Sequence, residues 1–253
     1  MNGKHVKEVQ SSSHEAYWDE QVEQLLADDP EFLEIYKNFV SSPWRNGYLE
    51  PKIKELLNIA ISASPTHLYA EATRTHIQKA LSLGATKEEI SEVLKVVSIL
   101  GVHTCAVGVP IMMQHFRGSG QLIDESHNHS EREQLKEQFI KTMGYWNQFR
   151  DDLIQMDTAF FQYYYEFLTE PMRRGILEPK IIEFIYIAID SSTTHLFEKG
   201  IEVHIENALK HGATQGELLE VFQLTSSLGY HSLSMGLPIL EEEVRRQKNL
   251  SKG

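Results

Sequence analysis

The chain has little of several residue types, and each shortage excludes a class of protein. Cys105 is the only cysteine among 253 residues, so one chain can form neither an internal disulfide nor a paired-thiol redox centre. No apolar run reaches the roughly 18 residues of a membrane-spanning helix. From Met1 to Glu15 the chain is polar and lacks the apolar core of a secretion signal. We therefore expect a cytoplasmic protein with no membrane association.

Basic residues are also scarce. The chain carries 24 lysines and arginines against 36 aspartates and glutamates, which gives a formal net charge of −12 at pH 7. Nucleic acids and anionic membranes select basic surfaces, because their phosphate groups repel a surface with this charge. The charge balance argues against a nucleic-acid partner and favours a small-molecule substrate.

The chain contains two copies of one pattern. The sequence LEPKI at 49–53 returns 128 positions later at 177–181, HI at 76–77 returns at 204–205, and GAT at 84–86 returns at 212–214. Aligned without a gap, the two copies agree at roughly 40 of about 96 positions, which marks a tandem repeat. Each copy alone is small, so we expect the two to pack together about a pseudo-twofold axis.

Apolar residues in both copies have helical spacing. The i, i+3, i+4, i+7 pattern is followed by Ile53, Leu56, Leu57 and Ala60. Strand alternation is nowhere sustained, and Thr86 with Glu89 forms a capping-box signature for a helix start. We therefore predict an all-α fold with about five or six helices per copy. In the first copy they cover roughly 17–28, 30–41, 50–62, 67–82, 87–100 and 103–115.

Composition suggests where the copies begin and end. A polar stretch between them contains glycine and serine, as surface linkers do. The predicted order is an N-terminal tail at 1–16, a first repeat at 17–116, a linker at 117–132, a second repeat at 133–247 and a C-terminal tail at 248–253.

Four residues that can carry chemistry recur at the same intervals in both copies. They are Glu55, His67, His76 and His103 in the first copy, and Glu183, His195, His204 and His231 in the second. Histidine titrates near neutral pH, and a buried carboxylate can fix its tautomer and strengthen it as a base. We take His76 and His204 as candidate catalytic residues oriented by Glu55 and Glu183. The remaining histidines are candidate substrate-binding residues.

Two other interpretations of these residues stay open. Three imidazoles and a carboxylate can bind a divalent transition metal, and the ligands would then be Glu55, His67, His76 and His103 or their second-copy equivalents. The spacing matches no dedicated metal motif, however. The same residues can instead serve the fold, with Thr66-His67 and Thr194-His195 as capped helix starts.

Cations that persist in both copies are candidates for binding a substrate carboxylate. Lys52 recurs as Lys180, and Arg45 recurs as Arg173. A lysine or arginine can hold a carboxylate through charge-assisted hydrogen bonds, although solvated surface charge is the alternative interpretation.

The repeated pattern resembles a known superfamily. From Glu55 through His76-Ile77 and Gly84-Ala85-Thr86, and again from Glu183 to Val221, the chain resembles the carboxymuconolactone decarboxylase and alkylhydroperoxidase D-like proteins. The resemblance implies a tandem, all-α, homo-oligomeric member in which His76 and His204 match the family histidine. Glu55 and Glu183 match an acidic residue on the preceding helix.

The chain departs from the peroxidase branch of that superfamily. Peroxidase members carry a CxxC pair before the histidine, whereas this chain has Tyr69 and Ala72 in one copy and Phe197 and Gly200 in the other. A peroxidatic centre needs a thiolate and a resolving thiol.

The resemblance therefore implies a cofactor-free, carboxymuconolactone decarboxylase-like lyase that uses acid–base chemistry on a small carboxylated or lactone substrate. The alternatives are a metal-dependent enzyme and a non-catalytic small-molecule binding protein on the same fold.

Overall fold

The computed structural model describes residues 20–119 and 129–251, and all regular secondary structure in these ranges is helical. The first copy contains α1 (Glu20–Leu25), α2 (Pro30–Asn46), α3 (Pro51–Ala63), α4 (Ala70–Ser82), α5 (Lys87–Ser98) and α6 (His103–Gly118). A further helix, α7 (His129–Met143), leads into the second copy. The second copy contains α8 (Gln148–Met156), α9 (Thr158–Arg174), α10 (Pro179–Ser191), α11 (Glu198–Lys210), α12 (Gln215–Ser226) and α13 (Tyr230–Leu250).

Local sequence explains many of these boundaries. Pro51 and Pro179 occupy the first turns of α3 and α10, where a missing amide hydrogen costs nothing. The predicted capping box at Thr86 and Glu89 forms at the start of α5, and its equivalent starts α12. The all-α prediction is confirmed.

The two copies interleave around a pseudo-twofold axis. Helix α6 of the first copy packs on α8 of the second, and α13 of the second packs on α1 of the first. Helices α3 and α10 contact each other at the centre, and one apolar core draws residues from both copies. The hydroxyl groups of Thr66 and Thr194, which are equivalent residues, lie 3.0 Å apart. The predicted packing of two related halves is confirmed.

A buried ion pair also joins the copies. Lys54 Nζ donates to the Pro43 carbonyl at 2.6 Å and lies 3.3 Å from Glu220 Oε1. The same glutamate accepts hydrogen bonds from the backbone amides of Tyr48 and Leu49. The pKa of Lys54 is lowered, because burial lowers it more than the nearby Glu220 raises it. Glu220 of α12 thus secures the loop before α3 of the other copy.

The helix starts expected at 67 and 195 are wrong. Leu68 and Leu196 have positive φ angles of 50° and 49°, which no α-helix accommodates, so α4 and α11 begin at Ala70 and Glu198. His67 therefore lies in a turn rather than at a capped helix start. This turn holds its imidazole close to the pseudo-twofold axis.

Other predicted boundaries also shift. Helix α2 continues through Pro43 to Asn46, beyond the predicted end at 41. Helix α13 continues to Leu250, so the predicted C-terminal tail begins inside a helix. Helices α6 and α7 extend into the predicted linker at both ends, while its central residues and the tail at 1–16 lie outside the described residues.

A short 3-10 helix at Ile99–Val102 joins α5 to α6. The residues from Lys87 to Gly118 therefore form one helical stretch. It is long and apolar enough to cross a membrane by length and composition, and 28% of its most apolar window is buried inside the molecule. The sequence-based expectation of no candidate span is therefore corrected. Core helices of soluble proteins satisfy the same criterion.

Candidate functional site

The structure brings together both predicted Glu–His pairs. Nδ1 of His76 lies 2.6 Å from Glu55 Oε2, and Nδ1 of His204 lies 2.6 Å from Glu183 Oε2. All four side chains are buried. Helices α3 and α4 place the first pair, and α10 and α11 place the second. Each carboxylate fixes the proton on Nδ1 and leaves Nε2 for another partner.

The remaining histidines pair across the two copies. His67 Nε2 lies 2.7 Å from His231 Nδ1, and His103 Nδ1 lies 2.8 Å from His195 Nε2. The expected grouping of Glu55, His67, His76 and His103 in one place is therefore wrong. Because the copies interleave, His231 of the second copy lies in the site of His76. In the same way, His103 of the first copy lies in the site of His204.

The predicted substrate-binding lysines make ion pairs with the capping-box glutamates. Lys52 Nζ lies 2.9 Å from Glu89 Oε1, and Lys180 Nζ lies 2.9 Å from Glu217 Oε1. The structure thus places both cations beside a helix start rather than beside His76 or His204. These ion pairs join helices within each copy, and the role of both lysines in binding a substrate carboxylate stays a prediction.

The second copy contains an open site. A cavity of about 530 Å³ has His204 in its wall, and His103 and Val102 of the first copy contribute to the same wall. Its other lining residues include Tyr145, Trp146, Arg150, Tyr164, Tyr186 and Phe197. This volume suits a small organic molecule.

The equivalent site in the first copy is closed. The space beside His76 and His231 measures only about 30 Å³. Tyr230 and Trp44 border it. Their equivalents in sequence are the smaller Val102, which lines the open cavity, and Met172, which does not. Tyr230 is almost fully buried and packs with Val40. Larger side chains therefore occupy the volume that is free in the open site.

Arg150 is a buried cation in the wall of the open site. Its guanidinium donates to the Tyr164 hydroxyl at 2.8 Å and lies over the rings of Phe139 and Phe149. Its Nε has no hydrogen-bond partner, and among the residues described no carboxylate lies within ion-pair distance. A buried cation normally has an anionic partner, so Arg150 is suited to bind the carboxylate of a ligand.

Asp190 is a buried carboxylate next to the open site. It is fully buried, and neither of its oxygens has a hydrogen-bond partner in the described structure. Three imidazoles surround it: Oδ1 lies 3.6 Å from His103 Nδ1 and 3.9 Å from His195 Nε2, and Oδ2 lies 4.0 Å from His204 Nε2. Burial raises the pKa of Asp190 to about 7.

Burial also keeps the neighbouring groups uncharged. Burial, together with a smaller contribution from the nearby His195, lowers the pKa of His103 to about 3. The pKa of Tyr186, whose hydroxyl has no hydrogen-bond partner in the described structure, is raised well above its usual value for the same reason. The site therefore offers neutral imidazoles and a neutral phenol to a ligand near neutral pH.

Comparison of the copies missed Arg150, Asp190 and Tyr186 because it selected residues that both copies keep. These three stand where the first copy has Val22, Ser62 and Asn58. For Asp190 a signal was present in the sequence, because a charged residue replaces a small one on a helix that is otherwise mostly apolar. Such differences mark where the two sites diverge.

Comparisons with known proteins agree with this architecture. The family model described as the carboxymuconolactone decarboxylase family matches residues 30–107 and again 158–233. A crystal structure described as a "putative gamma-carboxymuconolactone decarboxylase subunit" from Burkholderia xenovorans has 38% sequence identity and a TM-score of 0.85. The match covers 91% of this chain and 92% of that one. Among curated proteins there is no match. The chain belongs to the carboxymuconolactone decarboxylase family.

Proposed function

We propose that this chain is a carboxymuconolactone decarboxylase-like enzyme that acts on a small carboxylated or lactone substrate in the open site. The observation that carries the proposal is the presence of His204 and Arg150 in the wall of one cavity of about 530 Å³. A base and an unpaired cation facing one space suit an anionic carbon acid.

In this proposal His204 carries the proton. Glu183 holds Nδ1 as the N–H tautomer, so Nε2 can accept a proton from the substrate or, once protonated, donate one. In a decarboxylation, the bond to the departing carboxylate breaks and its electron pair remains on the substrate carbon as an enolate. The carboxylate leaves as CO₂, and the carbon takes a proton from His204, whose Nε2 has first been protonated by solvent.

Arg150 and Tyr186 would position the substrate. The guanidinium can hold a carboxylate by two parallel hydrogen bonds, and the neutral hydroxyl of Tyr186 can donate to a carbonyl or enolate oxygen. The surrounding aromatic rings exclude water, which strengthens both interactions. Thiol peroxidase chemistry does not fit, since Cys105 is the only cysteine.

The closed site would contribute little to turnover. It keeps the Glu55–His76 pair, but its space of about 30 Å³ admits no organic substrate. We therefore propose one working site in each chain, although both copies keep the acid–base pair.

Turnover of carboxymuconolactone by the purified protein tests the proposal. We expect His204→Gln to lower kcat/KM by roughly 10²- to 10⁴-fold, as loss of a general acid–base does. His76→Gln alters the equivalent residue of the closed site and should retain most activity. Full activity in His204→Gln would contradict the assignment. A substrate that binds through Arg150 without any turnover would favour the non-catalytic alternative.

The assembly and location of the protein are part of the same proposal. The relative from Burkholderia xenovorans is described as a subunit, and apolar side chains such as Val107, Ile111 and Ile239 are exposed. We propose that the protein is a cytoplasmic homo-oligomer in which contacts between subunits bury these side chains.

A further inference from the structure

We propose that His103, Asp190 and His195 form a binding site for one divalent transition-metal ion such as Zn²⁺. Their ligand atoms all lie within 4.8 Å of one another. The site takes His103 from the first copy and the other two residues from the second. It exists only because the copies interleave, and it differs from the ligand set suggested by the sequence.

The unpartnered carboxylate of Asp190 is the first argument. A fully buried carboxylate without hydrogen bonds is costly, and such groups are normally paired with a cation or coordinate a metal. In the described structure both oxygens of Asp190 lack a hydrogen bond, and imidazoles face them.

The two copies provide the second argument. In the closed site, His67 and His231 form the same kind of imidazole pair, but Ser62 stands where the open site has Asp190. Ala72 likewise stands at the position of Gly200, where a Cβ would lie 1.9 Å from Asp190 Oδ2. The second copy therefore combines an added carboxylate with the glycine that gives it room. Helix packing alone does not require this combination, because the first copy packs without it.

The donor atoms suit a transition metal. Two imidazole nitrogens and one carboxylate oxygen are the usual ligands of zinc sites that keep a fourth position open. His103 Nδ1 and His195 Nε2 lie 2.8 Å apart, a hydrogen-bond distance at which they share one proton. An ion would replace that proton, and the two nitrogens would separate by about half an ångström to reach bond lengths near 2.1 Å.

The position of the site suggests what the ion does. His103 lines the open cavity, so an ion can enter from there. His204 Nε2 lies 4.0 Å from the other oxygen of Asp190. An ion at this place would act as a Lewis acid on a substrate carbonyl close to the candidate base. Binding of the ion can be measured without turnover, so it does not depend on the function proposed above.

Titration of chelator-treated, untagged protein with Co²⁺ tests the site. We expect one equivalent to bind per chain, with visible absorption bands of a nitrogen- and oxygen-ligated ion and a higher Tm. Asp190→Ser, which installs the residue of the first copy, should weaken binding by roughly 100-fold or more, because even indirect supporting partners contribute 10- to 100-fold. His67→Gln, in the imidazole pair of the closed site, is the matched control and should bind like the wild type.

Two results would overturn the proposal. One is the absence of Co²⁺ and Zn²⁺ binding to the folded wild-type protein. The other is binding that Asp190→Ser leaves unchanged, since the ion would then occupy another site. If Asp190→Ser does not fold, His195→Gln provides the same test, because this side chain is partly exposed and its replacement disturbs the core less.

Discussion

Gly200 and Asp190 are two residues whose identities depend on each other. A Cβ on Gly200 would lie 1.9 Å from Asp190 Oδ2 and 2.6 Å from the Phe197 ring. We therefore predict that Gly200→Ala lowers the free energy of unfolding by about 1–3 kcal/mol, as overpacking does. Urea unfolding monitored by circular dichroism provides the measurement.

The first copy indicates how that loss can be reversed. It combines Ala72 with Ser62 at the equivalent positions, so Gly200→Ala with Asp190→Ser should recover most of the stability. Equal instability in the single and double variants would show that the clash involves Phe197 rather than the carboxylate.

His231 gives stability a dependence on pH. Burial lowers its pKa to about 3, with further contributions from His67 and His76, and Tyr69 packs against its ring. The unfolded chain, with a histidine pKa near 6.5, therefore binds more protons than the folded chain between about pH 6.5 and 3. The contribution of His231 is complete above about pH 6.5 and falls by up to about 1.4 kcal/mol per pH unit below it.

Urea unfolding at pH 7 and pH 5 tests this effect. His231→Gln cannot be protonated, so its stability should depend less on pH than that of the wild type. Equal losses of stability on acidification in both proteins would show that His231 does not titrate as its burial indicates.

Helix α8 supplies Arg150, the buried cation in the wall of the open site. Arg150→Met keeps the apolar stem but removes the cation. We predict that it raises KM for a carboxylated substrate by roughly 10- to 100-fold, since a hydrogen bond to a charged group contributes about 1.5–3 kcal/mol. kcat should change less, because binding rather than proton transfer is lost.

Arg173→Met on α9 is the matched control for this prediction. Arg173 is exposed, and it donates to the backbone carbonyl of Glu166 on its own helix. KM should therefore stay at the wild-type value. An unchanged KM in Arg150→Met, with the folded state confirmed by its Tm, would mean that the substrate does not contact Arg150.

At the level of helices, the sequence predicted what local physics determines. Apolar periodicity, first-turn prolines and capping boxes located most helices, and equal spacing in both copies paired Glu55 with His76 and Glu183 with His204. The turn at Leu68 was missed because its positive φ has no sequence signal such as glycine. The exchange of His103 and His231 between sites was missed because spacing along a chain does not reveal which copy supplies a helix.

Helices α6 and α13 expose apolar side chains at equivalent positions. Val107 and Ile111 on α6 are about half exposed, and so are the equivalent Met235 and Ile239 on α13. Apolar patches of this kind favour self-association. We predict that sedimentation velocity shows an oligomer and that Val107→Lys with Ile111→Lys shifts it toward smaller species. Recovery of the wild-type protein in the membrane fraction would contradict self-association as the role of these exposed side chains. It would favour a membrane-spanning role for the stretch from α5 to α6.

Interleaving makes the two copies a single folding unit. Without the second copy, α6 loses α8, α1 loses α13, and the buried Lys54 loses Glu220. Breaking a buried pair by removing one partner costs about 3–5 kcal/mol, a large part of the stability of a small domain. We therefore predict that residues 1–119 and 129–253, produced separately, show no cooperative unfolding transition.

Produced together, the two fragments should assemble. The contacts between the copies need no covalent connection, so the complex should regain the helical circular dichroism of the intact chain and one cooperative transition. An intact chain cleaved by a protease at an engineered site between 119 and 129 is the control, and it should remain folded. Cooperative unfolding of either fragment alone would show that each copy has a self-sufficient core. The composite sites at His103–His195 and His67–His231 would then arise from docking of finished domains, whereas interleaving requires that they form only as the whole chain folds.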